Sequence, residues 1–188
     1  MRYLIIPIGC SCAGKTYLYE NLIKTEQSVW ISNDFFYRKL FKKKINNDYL
    51  TEDERIIIID FLINKIQEQL DDPKKNIIYC DSTSFSEKKV RQNILNKLNI
   101  PQEIKIIFIN FNNIPFKKIL ENQEKRFFNM INKHNLLDTD AIRKQFGFMS
   151  EEKLLKLYSS VEPVSYQEFE KNIFNNNIFI FNIGDNDD

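Results

Sequence analysis

The chain is poor in the residues that mark several protein classes. It has three cysteines in 188 residues, Cys10, Cys12 and Cys80, and a small odd number does not suggest a secreted disulfide framework. A metal site or redox switch built on them is outweighed by a plainer reading, small residues packed where bulk is not tolerated. No stretch approaches the ~18 apolar residues of a membrane span. The N-terminus carries one arginine but no long apolar segment, so no signal peptide is expected and a cytoplasmic setting follows. Charge of either sign is not in excess: 27 Lys+Arg against 26 Asp+Glu leave a formal net charge of +1. No global field marks a nucleic-acid or membrane binder, and any basic surface must be local. Internal repeats and low-complexity linkers are missing too. One domain over residues 1–183 is expected, with an acidic tail at 184–188.

Glycine is also scarce, and its distribution is informative. Of four glycines, two fall in Gly9-Cys10-Ser11-Cys12-Ala13-Gly14-Lys15-Thr16, which fits G-x-x-x-x-G-K-[ST]. A phosphate-binding loop needs these types at this spacing. Gly9 and Gly14 allow backbone angles closed to other residues, so consecutive N–H groups can turn inward on a phosphate. Lys15 would reach the β- and γ-phosphates of ATP, and the Thr16 hydroxyl would bind Mg²⁺. The motif alone is moderately specific, and its surroundings support it. Residues 3–8 are an apolar run suited to a buried parallel strand, and Leu18, Leu22 and Ile23 recur at helical spacing behind the loop. Pro7 fits a central strand poorly and is expected near its end.

Further strands are expected at 28–31, 77–80, 104–109 and 178–181. Helices are expected at 35–44, from a capping box at Thr51…Glu54 to about Leu70, and at 86–98, 114–128, 138–146, 150–158 and 167–173. The segment 129–137 is polar and weakly patterned. Five apolar strands separated by helices imply an α/β fold: a parallel sheet with helices on both faces. Ligands in such sheets sit beyond the carboxyl ends of the strands. Lys15, Asp34 and Asp81 all follow strand ends, so one cleft can hold all three. Asp34 is placed for a general base, or simply caps the helix after it. Asp81 suits Mg²⁺ or acceptor orientation, or is a solvated turn residue.

Taken together, Ile8-Gly9-Cys10…Gly14-Lys15-Thr16, Ile31-Ser32-Asn33-Asp34…Tyr37-Arg38, Cys80-Asp81-Ser82-Thr83 and Asn122…Lys125-Arg126 resemble P-loop kinases of the phage polynucleotide 5′-hydroxyl kinase type. Glu162-Pro163…Tyr166…Glu168-Phe169 is a looser likeness to a C-terminal segment of such enzymes. The likeness spans nearly the whole kinase domain, with a helical lid at about 122–146 and without the phage enzyme's phosphatase domain. It implies a catalytic set of Asp34, Lys15, Arg126 and Asp81, with Asp34 as the base and Arg126 clamping the transferring phosphoryl group. Asp34, Arg38, Asp81 and Thr83 would hold the substrate, Arg38 by its phosphate. Residues 9–16 and Arg126 would hold ATP, and Thr16 and Asp81 would serve Mg²⁺. The implied partners are 5′-hydroxyl ends of DNA or RNA in nucleic-acid repair, with a ligase or phosphatase on separate chains.

Two departures stand out. One residue more separates Asp34 from Arg38, a change from i,i+3 to i,i+4 that keeps both side chains on one helix face. Asn122 stands where the lid often has a second arginine, which removes one positive charge near the triphosphate. Two alternatives remain open at this point: a kinase of the same superfamily acting on a nucleoside, sugar or antibiotic, and a nucleotide-binding switch or interaction module without an acceptor.

Overall fold

A computed structural model of the chain describes residues 1–33, 51–134, 148–169 and 177–184. Strand β1 (Arg2–Ile8) leads through the loop into helix α1 (Lys15–Leu18), which continues as a π-turn at Tyr19–Ile23. After β2 (Ser28–Ser32) come α2 (Glu52–Asp71), β3 (Ile77–Asp81), a 3₁₀ turn at Thr83–Ser86 and α3 (Lys88–Lys97). Then follow β4 (Ile104–Asn110), α4 (Phe116–His134), α5 (Glu151–Ser159), a 3₁₀ turn at Tyr166–Phe169 and β5 (Ile178–Asn182). The expected helices at 35–44 and 138–146, most of that at 167–173, and the end of the acidic tail lie outside the described residues.

All strand pairs are parallel, in the order β2-β3-β1-β4-β5. The three inner strands are apolar runs because both faces of the sheet are covered there. Leu4, Ile6 and Ile8 of β1 face a core shared with Leu62 and Ile66 of α2 and Ile94 of α3. Ile5 and Tyr79 face the other way, against Tyr19 of the π-turn. Pro7 does sit near the strand's end. The β1–β3 register stops at Ile5↔Tyr79, whereas β1–β4 continues to Ile8↔Asn110. Tyr3, on the same edge as Pro7, bonds toward the β3 side through Asn76 O. Pro7 therefore points its missing donor where the ladder has already ended.

Helix limits follow local chemistry. Thr51 Oγ1 accepts from Glu54 N, and Glu54 Oε2 accepts from Thr51 N, so both arms of the capping box are made. At the far end the Arg2 guanidinium donates to the carbonyls of Gln69, Asp72 and Lys75, satisfying terminal acceptors and countering the negative end of the helix dipole. Two expectations need correction. The helix after β4 runs on to His134 rather than ending near 128; the segment lacks a breaker, and polar residues suffice on a helix with an exposed side. Behind the loop, Leu22 is exposed and Tyr19 is the buried residue. The Lys24 N to Tyr19 O bond spans five residues, and this wider π-turn shifts the phase that 3.6-residue spacing assumes.

The C-terminal segment is clipped to α3 by a buried ion pair. Arg91 is fully buried, and its guanidinium donates to both Glu168 carboxylate oxygens at 2.7 and 3.0 Å. It also donates to the carbonyls of Phe85 at 2.5 Å and Glu162 at 3.2 Å. Glu162 caps the start of α3 by accepting from Lys88 N at 2.6 Å. Asn110, buried at the end of β4, exchanges two hydrogen bonds with the backbone of Val164. The stretch Glu162…Phe169 thus binds the sheet through a helix and a strand end. Among the described residues, no helix is long and apolar enough to cross a membrane.

Candidate functional site

The loop from Gly9 to Gly14 links the end of β1 to α1 beyond the carboxyl edge of the sheet. Gly14 has φ +104°, the left-handed region that glycine enters without strain. The expectation for Gly9 is corrected: its φ is not positive, and its constraint is space. A Cβ there would lie 2.9 Å from Cβ of Phe111. The loop's other left-handed residue is Cys12, at φ 65°, a conformation that costs a non-glycine residue about 1–2 kcal/mol.

Side chains from β3 and from the turn after it pin the loop. The Ser86 hydroxyl, buried after β3, bridges Gly9: it accepts from Gly9 N and donates to Gly9 O, both at 3.2 Å. Tyr79 on β3 donates its hydroxyl to Lys15 O at 2.7 Å, fixing the first turn of α1. Burial pushes the Tyr79 phenol far up, with Asp81 and Cys80 adding to the shift, so the donor keeps its proton at any physiological pH. Neither residue was singled out from the sequence. A tyrosine in an otherwise apolar strand is a signal in hindsight, since a buried hydroxyl needs a partner. Ser86 gives no such cue.

The strand order puts Asp81 beside the loop, because β3 is the direct neighbour of β1. Thr16 Oγ1 donates to Asp81 Oδ2 at 2.9 Å. Lys15 is buried, with Nζ at 4.0 Å from Asp81 Oδ1. The ammonium donates to Gly9 O at 2.8 Å and Cys10 O at 2.7 Å, so it curls over the loop it belongs to. A cation, a hydroxyl and a carboxylate therefore converge around a ring of backbone. The hydroxyl–carboxylate pair is a hard oxygen donor set that fits Mg²⁺, which takes few protein ligands and keeps several waters.

The cysteines pack as the plain reading expects. Cys80 is wholly buried in the main core, and Cys10 joins Ala13, Phe111, Ile119 and Leu154 in a second cluster against α4 and α5. Burial pushes the Cys10 thiol up from 9.0 to about 11, against a smaller opposing pull from Lys15. Burial and then Asp81 push Cys80 higher still. Neither is a thiolate at neutral pH.

Among the remaining expected residues, Ser11 and Cys12 are half-buried on the loop, and Thr83 is exposed at the start of the 3₁₀ turn after Asp81. Arg126 is exposed on α4. Asn122, one turn before it, donates its amide to Cys12 O at 3.1 Å. The structure thus gathers Gly9 to Thr16 with Asp81 and leaves Arg126 at the surface. Asp34 and Arg38 lie outside the described residues. Asn33, which ends the described part of that segment, donates its amide to Ser84 Oγ at 2.9 Å.

No protein-family profile and no curated protein matches the chain. Solved structures do. A sugar kinase from Janibacter sp. HTCC2649 aligns with TM-score 0.56 and 14% identity, over 97% of this chain and 85% of that one. The fold is P-loop kinase-like. The same fold relates the chain to Chaetomium thermophilum Kti12 in complex with ADP-AlF3, with TM-score 0.54 and 15% identity over 98% and 91% of the two chains. A chain of the Pnkp1/Rnl/Hen1 RNA repair complex aligns with TM-score 0.52 and 16% identity. That match covers 86% of this chain and 46% of that one, so this P-loop kinase-like domain spans less than half of it.

Proposed function

We propose that the protein is an ATP- and Mg²⁺-dependent kinase that phosphorylates the 5′-hydroxyl end of DNA or RNA. The observation that carries the phosphotransfer reading is the meeting of Lys15, Thr16 and Asp81 at the mouth of the loop. Backbone N–H groups and the Lys15 ammonium hold the ATP phosphates. Thr16 and Asp81 would hold Mg²⁺, which would supply charge neutralisation at the phosphates. Asp34 takes the proton of the attacking hydroxyl. The acceptor's hydroxyl oxygen bonds to the γ-phosphorus as the bond to the β–γ bridging oxygen breaks, and ADP leaves. Arg126 closes over the transferring group. Positioning and charge neutralisation supply most of the acceleration.

The nucleic-acid acceptor is supported by the run Asp34…Tyr37-Arg38 and by the likeness to a chain of an RNA repair complex. Arg38 would hold a substrate phosphate beside the reacting hydroxyl, and a role in nucleic-acid repair in the cytoplasm follows. A small-molecule hydroxyl is the second reading, favoured by the likeness to a sugar kinase. The loop and Asp81 serve both, because they address ATP.

The test is Asp34→Asn, assayed for transfer of labelled γ-phosphate to a 5′-hydroxyl oligonucleotide and, separately, for ATP binding. Transfer is expected to vanish while binding persists. A fully active variant would remove Asp34 from the role of base.

A further inference from the structure

Cys12 is the one non-glycine residue with positive φ among the described residues, and its carbonyl is the one that α4 reaches. Asn122 donates its amide to Cys12 O at 3.1 Å across 110 positions of sequence. The helix beneath this contact is firmly seated. Ile119 and Phe127 are buried on its inner side, and buried Gln123 donates to Met149 O at 3.1 Å. Cys12 itself packs on the cluster shared by Ile119 and Leu154. The amide is therefore offered from a fixed platform to the most strained peptide of the loop.

That peptide has a second end. No described peptide bond is cis, and in a trans peptide the carbonyl and the following N–H point in opposite directions. A Cys12 carbonyl that accepts from Asn122 leaves the Ala13 N–H pointing away from α4. The strain of a left-handed cysteine and the net strength of one amide–carbonyl hydrogen bond are of similar size, so this contact decides which way the peptide faces.

We propose that Asn122 is a positioning residue for nucleotide binding: it holds the Cys12–Ala13 peptide in the orientation that presents the Ala13 N–H to a polyphosphate. The inference rests on the reading of the loop as an ATP site. It also makes α4 part of the loop's outer wall.

The experiment measures ADP–Mg²⁺ and tripolyphosphate binding by calorimetry in the wild type and four variants of the full chain. Asn122→Ala removes the donor, and Asn122→Asp removes it at nearly constant volume. Cys12→Gly accepts positive φ without strain, and the double variant combines Cys12→Gly with Asn122→Ala. Both Asn122 variants are expected to bind roughly tenfold more weakly, the effect of one lost hydrogen bond. The double variant is expected to stay within about twofold of Cys12→Gly, because glycine holds the positive φ without the tie. Rescue is the readout that a merely structural tie would not give. Asn122 variants that bind like the wild type, or a double variant roughly tenfold weaker than Cys12→Gly, would overturn the proposal. A wild type that binds neither ligand would overturn the ATP reading and the proposal together.

Discussion

Two buried cations among the described residues are held in opposite ways. Arg91 is 0% exposed, and its donors meet both oxygens of Glu168 and two backbone carbonyls. Lys15 is 6% exposed, bonds only to carbonyls of its own loop among the described residues, and keeps its carboxylate at 4.0 Å. Asp81, for its part, is engaged by Thr16. A saturated guanidinium has nothing left to offer a ligand and serves the fold. An ammonium curled over a loop, with a carboxylate at arm's length, can turn to a phosphate by exchanging weak partners for a charged one. Burial of charge alone does not mark function; what marks it is how completely the charge is already answered.

The sharpest way to break the comparison is to remove each cation in turn. Arg91→Leu strands the Glu168 carboxylate in the core, and losing one partner of a buried pair costs about 3–5 kcal/mol. Urea denaturation is expected to show this loss, and Glu168→Gln to show a smaller one. Near-wild-type stability in both would mean that the clip is dispensable.

Lys15→Ala reverses the pattern. The melting temperature is expected to hold within a few degrees, whereas phosphoryl transfer falls by roughly 10²–10³-fold, the usual effect of deleting one charge-stabilising donor. Parallel assays of melting and transfer separate the two cations. A Lys15→Ala protein that unfolds as readily as Arg91→Leu would erase the distinction.

The smallest effect concerns pH. The folded state raises the Cys10 thiol from 9.0 to about 11, so between those values the native chain keeps a proton that the unfolded chain has lost. Stability from this group is complete below about pH 9 and declines as pH rises toward 11. Cys10→Ala is expected to flatten that part of the stability–pH curve in denaturation experiments. An unchanged slope would show that burial does not hold the thiol.

Sequence patterns and structure agree where a signal is local. The loop motif, the Thr51…Glu54 capping box and the five apolar strands are each written in a few adjacent residues, and each forms as expected. Signals failed where the partner is remote. Arg91 reads as one more charge on a helix because Glu168 lies 77 positions away. Ser86 is anonymous until the sheet places β3 beside β1, and the partner of the Tyr79 hydroxyl is too. Leu22 misled because a π-turn breaks the period that spacing arguments use. At Gly9 the constraint is space and not φ, and its neighbour Phe111 is invisible to any rule about φ. Asn122 looked like a lost charge, and the structure shows a hydrogen bond to the loop instead.

The loop, Lys15, Thr16 and Asp81 make up one half of the candidate site, whereas Asp34 and Arg38 lie outside the described residues and the acceptor is a proposal. The most direct test is transfer of labelled γ-phosphate from ATP, with Mg²⁺, to a panel of acceptors: 5′-hydroxyl DNA, 5′-hydroxyl RNA, a 3′-nucleotide, plain nucleosides and simple sugars. The account predicts label on the oligonucleotides and its loss in Lys15→Ala. Label confined to sugars or nucleosides, or ATP bound with no transfer to any nucleic acid, would contradict it.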